Sequence, residues 1–168
     1  MTTRERITEV LLWAAVVVWG CMLGGIFYET LVVIPAWTAA PPESLSIMTH
    51  PRYPIVPGRM WIPFSGLNTL LSIVVLIAAW NQPSRRRWLI FAVGIVVLSH
   101  IMQFGFFWPK IYSMIVPGAA PDAVASAARQ YVTFNWLRVA YVAAGFLATL
   151  RAFRIPSLGI ITSDRAVL

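Results

Sequence analysis

Charge is what this chain has least of. Only 11% of its 168 residues are Asp, Glu, Lys or Arg, against about 25% in a soluble domain. With 59% hydrophobic residues, that shortage excludes an ordinary soluble fold and leaves the membrane class, as one compact helical domain. Cysteine is nearly missing: Cys21 alone allows no intrachain disulfide and no thiolate metal cluster. Histidine is scarce too, with His50 and His100 and no H-x-x-x-H pair. The one metal-ligand trio on offer, His50, His100 and Glu29, would need the loop carrying His50 to fold inward, so no metal site is expected. Alternating apolar and polar runs are lacking, which argues against strands and a membrane barrel. Asp122 and Asp164 lie outside the apolar runs and no serine sits in a nucleophile motif, so Ser-His-Asp chemistry is not supported.

What the chain does contain is four long apolar runs, at about residues 10–35, 60–80, 88–108 and 131–153. Each is near or above the ~20 residues a helix needs to cross the hydrocarbon core. The pattern predicts an all-α, four-transmembrane-helix bundle, with Pro35 closing the first helix. The leading MTTRER resembles the n-region of a signal peptide, but the run behind it exceeds the 7–15 residues of a usual apolar core, so it reads as a retained helix. The tight 82–87 turn makes the second and third helices antiparallel neighbours. The proline-rich outer loop, 37–59, is long enough to suggest a lid. Residues 109–122 begin as a kinked continuation of the third helix before PGAAP ends it.

The net charge of +7 follows span ends rather than a nucleic-acid-binding patch, and no nucleic acid is expected. Arg4, Arg6, Arg85, Arg86, Arg87, Arg151, Arg154 and Arg165 fall on one side, Arg52, Arg59 and Lys110 on the other, with Arg129 near the edge of the fourth span. The positive-inside rule places both termini and the 82–87 turn in the cytoplasm, in a plasma membrane. Arg85–Arg87 reads as a topology anchor touching anionic lipid. Trp37, Trp61, Trp80, Trp88 and Trp108 mark span ends as an aromatic belt.

Two ionisable residues interrupt the apolar runs, Glu29 in the first and Arg138 in the fourth. Such groups are costly at membrane depth and face a bundle interior, pair, or mark a functional site. At ~1.5 Å rise per residue, Glu29 lies roughly 10 Å outward of its span's midpoint, Arg138 about 6 Å, Asn135 about 10 Å, Gln103 about 7 Å, and Asn68 and His100 about 3 Å. All four helices therefore bring polar groups to the outer half, while the inner half stays almost wholly apolar. Asn135 with Arg138, and His100 with Gln103, stand three residues apart on one helix face. Ser65, Asn68 and Ser72 line one face of the second helix, and Tyr28 adjoins Glu29. Two readings stand: a polar pocket, or a polar clamp that fixes helix register. Gly20 and Gly24 form a small-xxx-small motif, for close packing within the bundle or for dimerisation. The FGFFWP segment (Phe104 to Pro109) reads as packing against lipid or neighbouring helices.

Three stretches carry a family resemblance. Gly25-Ile26-Phe27 continuing to Val33-Ile34-Pro35, Phe107-Trp108-Pro109, and Phe134-Asn135-Trp136-Leu137-Arg138 before a small-residue run resemble the anthrone oxygenase-like family of small four-helix membrane proteins. Lys110 and Ile111 follow Pro109 where that family carries a polar Asn, and His50-Pro51-Arg52-Tyr53 has no counterpart. The resemblance implies oxidation of an activated aromatic methylene by dioxygen as co-substrate, with no metal or organic cofactor. It implies Arg138 with Asn135 holding the enolate and His100 or Glu29 taking the proton, His100 being the better base because histidine titrates nearer neutrality. Asn68, Gln103 and Tyr28 complete the expected binding set, in contact with an apolar small molecule and membrane lipid. The rival expectation is a non-enzymatic subunit, or a lipid- or quinone-binding protein, as a homo-oligomer or with a partner membrane subunit. A transporter fits less well, since the inner half offers no continuous polar path.

Overall fold

The computed structural model describes residues 2–46 and 58–156. Sequence readings that fall on His50, Arg52, Pro51, Pro54, Pro57 and Arg165, and with them most of the lid reading of 37–59, lie outside the described residues. Within the described residues the chain is an all-α four-helix bundle. Its helices are α1 (Thr3–Thr38), α2 (Gly58–Ala78), α3 (Pro83–Ile115) and α4 (Pro121–Arg154), and all four are long and apolar enough to cross a membrane. They alternate in direction, and each packs on its two neighbours in the order α1, α2, α3, α4 and back to α1.

The buried side chains explain why these helices bundle. On α1 they fall at Thr8, Leu12, Ala15, Trp19, Met22, Ile26 and Glu29, and on α4 at Tyr131, Asn135, Arg138, Val142, Gly145, Thr149 and Ala152. Both series alternate steps of four and three residues, the heptad spacing that keeps one seam facing the neighbouring helices. Asn68, Ser72, Val75 and Ala79 continue the rule at α2. At the seam Gly145 meets Trp19: a Cβ there would run into an indole that is itself buried and donates to Ser72 Oγ at 3.3 Å.

Pro35 does not close the first helix, contrary to expectation. The helix passes through it by widening into a π-helical turn at Glu29–Val33, where the Ile34 N–H bonds the Glu29 carbonyl. The third helix does the same at Gln103–Phe107, where the Trp108 N–H bonds the Gln103 carbonyl ahead of Pro109. A proline has no N–H to donate, and its ring crowds the carbonyl four residues back; a wider turn relieves both problems. Each π-turn inserts one residue, so the buried seam shifts by one. It continues at Ile34 and Trp37 on α1, and at Phe107 and Met114 on α3.

Three apolar clusters stack along the bundle. One, around Leu12, Val75, Leu89 and Ala152, fills the end that carries the 79–82 turn. A second, around Trp19, Ile26, Ala92 and Val142, fills the middle. A third joins Ile34, Trp37, Leu45, Phe107 and Tyr131 at the opposite end, the outer one in the expected topology. No residue of α2 belongs to that outer cluster. Trp37 is thus an interior residue with 1% exposure, not a member of an aromatic belt.

Arg85 also departs from its expected role. Its side chain is only 3% exposed; it pairs with Glu9 Oε1 at 2.6 Å and donates to the Ile155 carbonyl through Nε at 2.9 Å and through Nη2. It ties the start of α3 to α1 and to the end of α4, while Arg86 lies over the Trp80 ring.

Two stability measurements in detergent test this packing. Gly145→Ala is expected to lose about 1–3 kcal/mol through overpacking against Trp19; an unchanged unfolding midpoint would mean the seam is loose there. Arg85→Ala should cost about 2–3 kcal/mol through lost charged hydrogen bonds, with Arg86→Ala within about 0.5 kcal/mol of the parent.

Candidate functional site

Between the middle and outer clusters lies a polar layer. The Glu29 and Arg138 side chains meet across α1 and α4, Oε2 to Nη1 at 3.4 Å, with exposures of 5% and 8%. The guanidinium lies between two rings, 5.0 Å from the Trp61 centroid and 5.3 Å from that of Phe107. Cation–π contacts of this kind strengthen where water is excluded. Phe107 reaches the guanidinium because the α3 π-turn brings it, rather than Phe106, onto the seam. Tyr131 stacks edge-on against Phe107 at 5.3 Å and Trp37 at 5.0 Å, sealing the outer side of the layer.

The expected pair therefore forms, and its geometry bears on pocket against clamp. A tight charge-assisted N–H···O contact spans about 2.7–2.9 Å and is often bidentate with arginine. Here there is one contact, and it is long. Arg138 has five N–H donors, and none of its nitrogens is sealed from the cavity without a partner. Glu29 Oε1 is buried with no partner, a condition that costs about 1–3 kcal/mol until a donor reaches it.

These residues form one wall of a cavity of about 680 Å³, within the roughly 300–1,000 Å³ typical of small-molecule sites. His100, Gln103 and Ser99 enter it from α3, Arg59, Trp61 and Ser65 from α2, and Tyr131 and Tyr141 from α4. Its rim holds Ile62, Phe104 and Tyr112, each more than half exposed. Among the described residues this exposed rim belongs to α2 and α3, and no residue of α2 joins the third apolar cluster.

His100 has a defined orientation. Its Nδ1 stands 2.9 Å from the Val96 carbonyl. A carbonyl only accepts, so Nδ1 carries the proton in the neutral ring and Nε2 keeps the lone pair.

Of the seven residues expected at the site, Glu29, Arg138, His100 and Gln103 line the cavity and three do not. Tyr28 is 61% exposed on the outside of α1, because the residue before a seam position faces outward; its hydroxyl is not part of the network. Asn135 is fully buried and spends its amide on Thr30 Oγ1 at 2.6 Å, which in turn donates to the Ile26 carbonyl at 2.6 Å. It fixes α4 on α1 rather than capping Arg138. Asn68 is buried one turn below the cavity on the α2 seam. Tyr131, Tyr141 and Phe107 were not anticipated. Tyr131 and Tyr141 stand seven and three residues from Arg138, on its own face, and helical spacing alone would have found them. FGFFWP contributes more than packing, since Phe104 and Trp108 join the cavity wall. Among the described residues no three His, Cys, Asp or Glu side chains converge as metal ligands.

Comparison of the chain with family models, with curated proteins and with solved structures returns no match. The site is therefore read from its own geometry.

A double-mutant cycle measures how far the Glu29–Arg138 contact stabilises the bundle. Glu29→Gln and Arg138→Met should each lower stability, and together cost less than the sum, with a coupling of about 1–2 kcal/mol. Zero coupling would mean that the rings and the cavity, rather than the carboxylate, stabilise the guanidinium.

Proposed function

We propose that this is an integral membrane protein with both termini cytoplasmic, in a plasma membrane. It draws an apolar, oxygen-bearing small molecule from the lipid phase into the outer-half cavity and oxidises an activated aromatic methylene there with dioxygen. One observation carries the reading. A cavity of about 680 Å³, rimmed by exposed side chains of α2 and α3, brings a buried guanidinium and a histidine with an available lone pair to the same space.

The residues divide the chemistry between them. His100 Nε2 takes a proton from the methylene, and Arg138 holds the enolate oxygen where negative charge develops. The enolate reduces dioxygen to give a carbon-bound hydroperoxide, and loss of water then leaves the ketone. The sum is R₂CH₂ + O₂ → R₂C=O + H₂O. Glu29 orients Arg138. The apolar walls exclude water from the anion. Asn135 holds α4 in place and has no direct part.

The rival reading is a non-enzymatic subunit or a binding protein for a lipid or quinone. It is favoured by the exposed aromatic rim, Phe104 and Tyr112, which could seat a lipid tail or a partner helix. Transport is disfavoured because the two apolar clusters below the cavity leave no polar path through the inner half.

Oxygen uptake by the purified protein, tried with a panel of anthrones and hydroquinones, separates these readings. His100→Ala should lower kcat about a hundredfold, within the usual range for loss of a general base, and Arg138→Ala should lower it at least as much. Absence of uptake with folded protein across the whole panel would remove the oxygenase reading and leave the binding role.

A further inference from the structure

The cavity is electrically unbalanced. Among the described residues its walls hold one carboxylate, Glu29, against two guanidiniums, Arg138 and Arg59. The sequence from 47 to 57 adds no Asp or Glu. Arg59 stands in the first turn of α2, at the outer end of the bundle, and its side chain is exposed. Glu29 engages a single Arg138 nitrogen at 3.4 Å, so donors remain for a second anion. An uncompensated positive charge beside the cavity favours an anion over its neutral analogue.

The rest of the wall describes the body that carries the anion. Trp61, Phe104, Trp108 and Tyr112 line the cavity, and their rings offer faces and edges on which a flat apolar body can stack. A ligand arriving from the lipid would pass this rim ring-first or tail-first, with its charged oxygen drawn by Arg59 and then by Arg138.

We infer that the cavity selects a lipophilic acid, an apolar ring-bearing molecule with a single anionic oxygen group. It enters between α2 and α3, is steered by Arg59 and is seated on Arg138. This rests on the cavity reading above and adds the charge and shape of the ligand.

The test is a scintillation-proximity binding assay on the detergent-solubilised full chain, with tritiated anthracene carboxylic acid and its tritiated methyl ester as probes. The acid should bind about tenfold or more tightly than the ester. Arg59→Gln should erase most of that preference while leaving ester binding and the unfolding midpoint unchanged, as expected for an exposed helix-end substitution. Equal binding of acid and ester would overturn the charge inference while leaving the cavity reading intact. An acid preference unchanged in Arg59→Gln would overturn the role of Arg59. No binding of either probe to folded protein would remove the cavity reading along with the inference. Displacement of the acid by phosphatidylglycerol at bilayer mole fractions would assign the site to a lipid headgroup and overturn it.

Discussion

A carboxyl group and a guanidinium held in an apolar bundle must find partners, and most of the outer half of this protein is arranged around that requirement. Glu29 and Arg138 come from the first and last helices, 109 residues apart in the chain. Their contact fixes α1 against α4 at the level where the apolar core gives way to polar groups. The contact is single and long, so much of what stabilises the guanidinium comes from the Trp61 and Phe107 rings on either side. Rings shield a cation from lipid without using its N–H donors. A buried arginine stabilised in this way keeps donors in reserve, which a bidentate clamp would not.

The two π-turns prepare the backbone for that arrangement. Glu29 and Gln103 each open a π-turn, and each lies six residues before a proline, Pro35 and Pro109. The proline removes a hydrogen bond, and the turn redistributes those that remain, as π-bulges often do near functional sites. The extra residue also rotates the rest of the helix by one seam position. That rotation carries Trp37 and Phe107 inward. Local backbone chemistry, seam register and the aromatic bracket around Arg138 are linked steps of one construction.

The ends of the bundle are built differently. The inner half is mostly apolar, with Thr8, Ser72 and Thr149 as isolated buried polar side chains, and is tied at its edge by Arg85, Glu9 and the Ile155 carbonyl. Among the described residues the other end is closed beyond the polar layer by α1, α3, α4 and Leu45 of the segment after α1, with no residue of α2. Among the described residues α2 takes no part in that closure, and the exposed rim of the cavity lies on α2 and α3.

Composition and the length of the apolar runs were enough to establish four helices, because spanning segments must be continuous and hydrophobic whatever surrounds them. Helical arithmetic also brought Glu29, Arg138, His100 and Gln103 to one depth, since rise per residue does not depend on neighbours. Depth, however, carries no rotation. Whether Asn135, Asn68 and Tyr28 face the cavity, a neighbouring helix or lipid depends on the seam, and two π-turns displace that seam in a way a straight-helix reading of Pro35 missed. Arg85 shows the same limit: as one of three consecutive arginines it looked like a surface anchor, yet the place where α1 and α4 end makes it a buried tie. Run length and hydropathy, local properties of the chain, settled the number of spanning helices but not their ends, since three helices run on to 3–38, 83–115 and 121–154, beyond the apolar runs. Only the tertiary structure decided which polar groups share a cavity and on which side it opens, because those depend on the rotation of each helix against its neighbours.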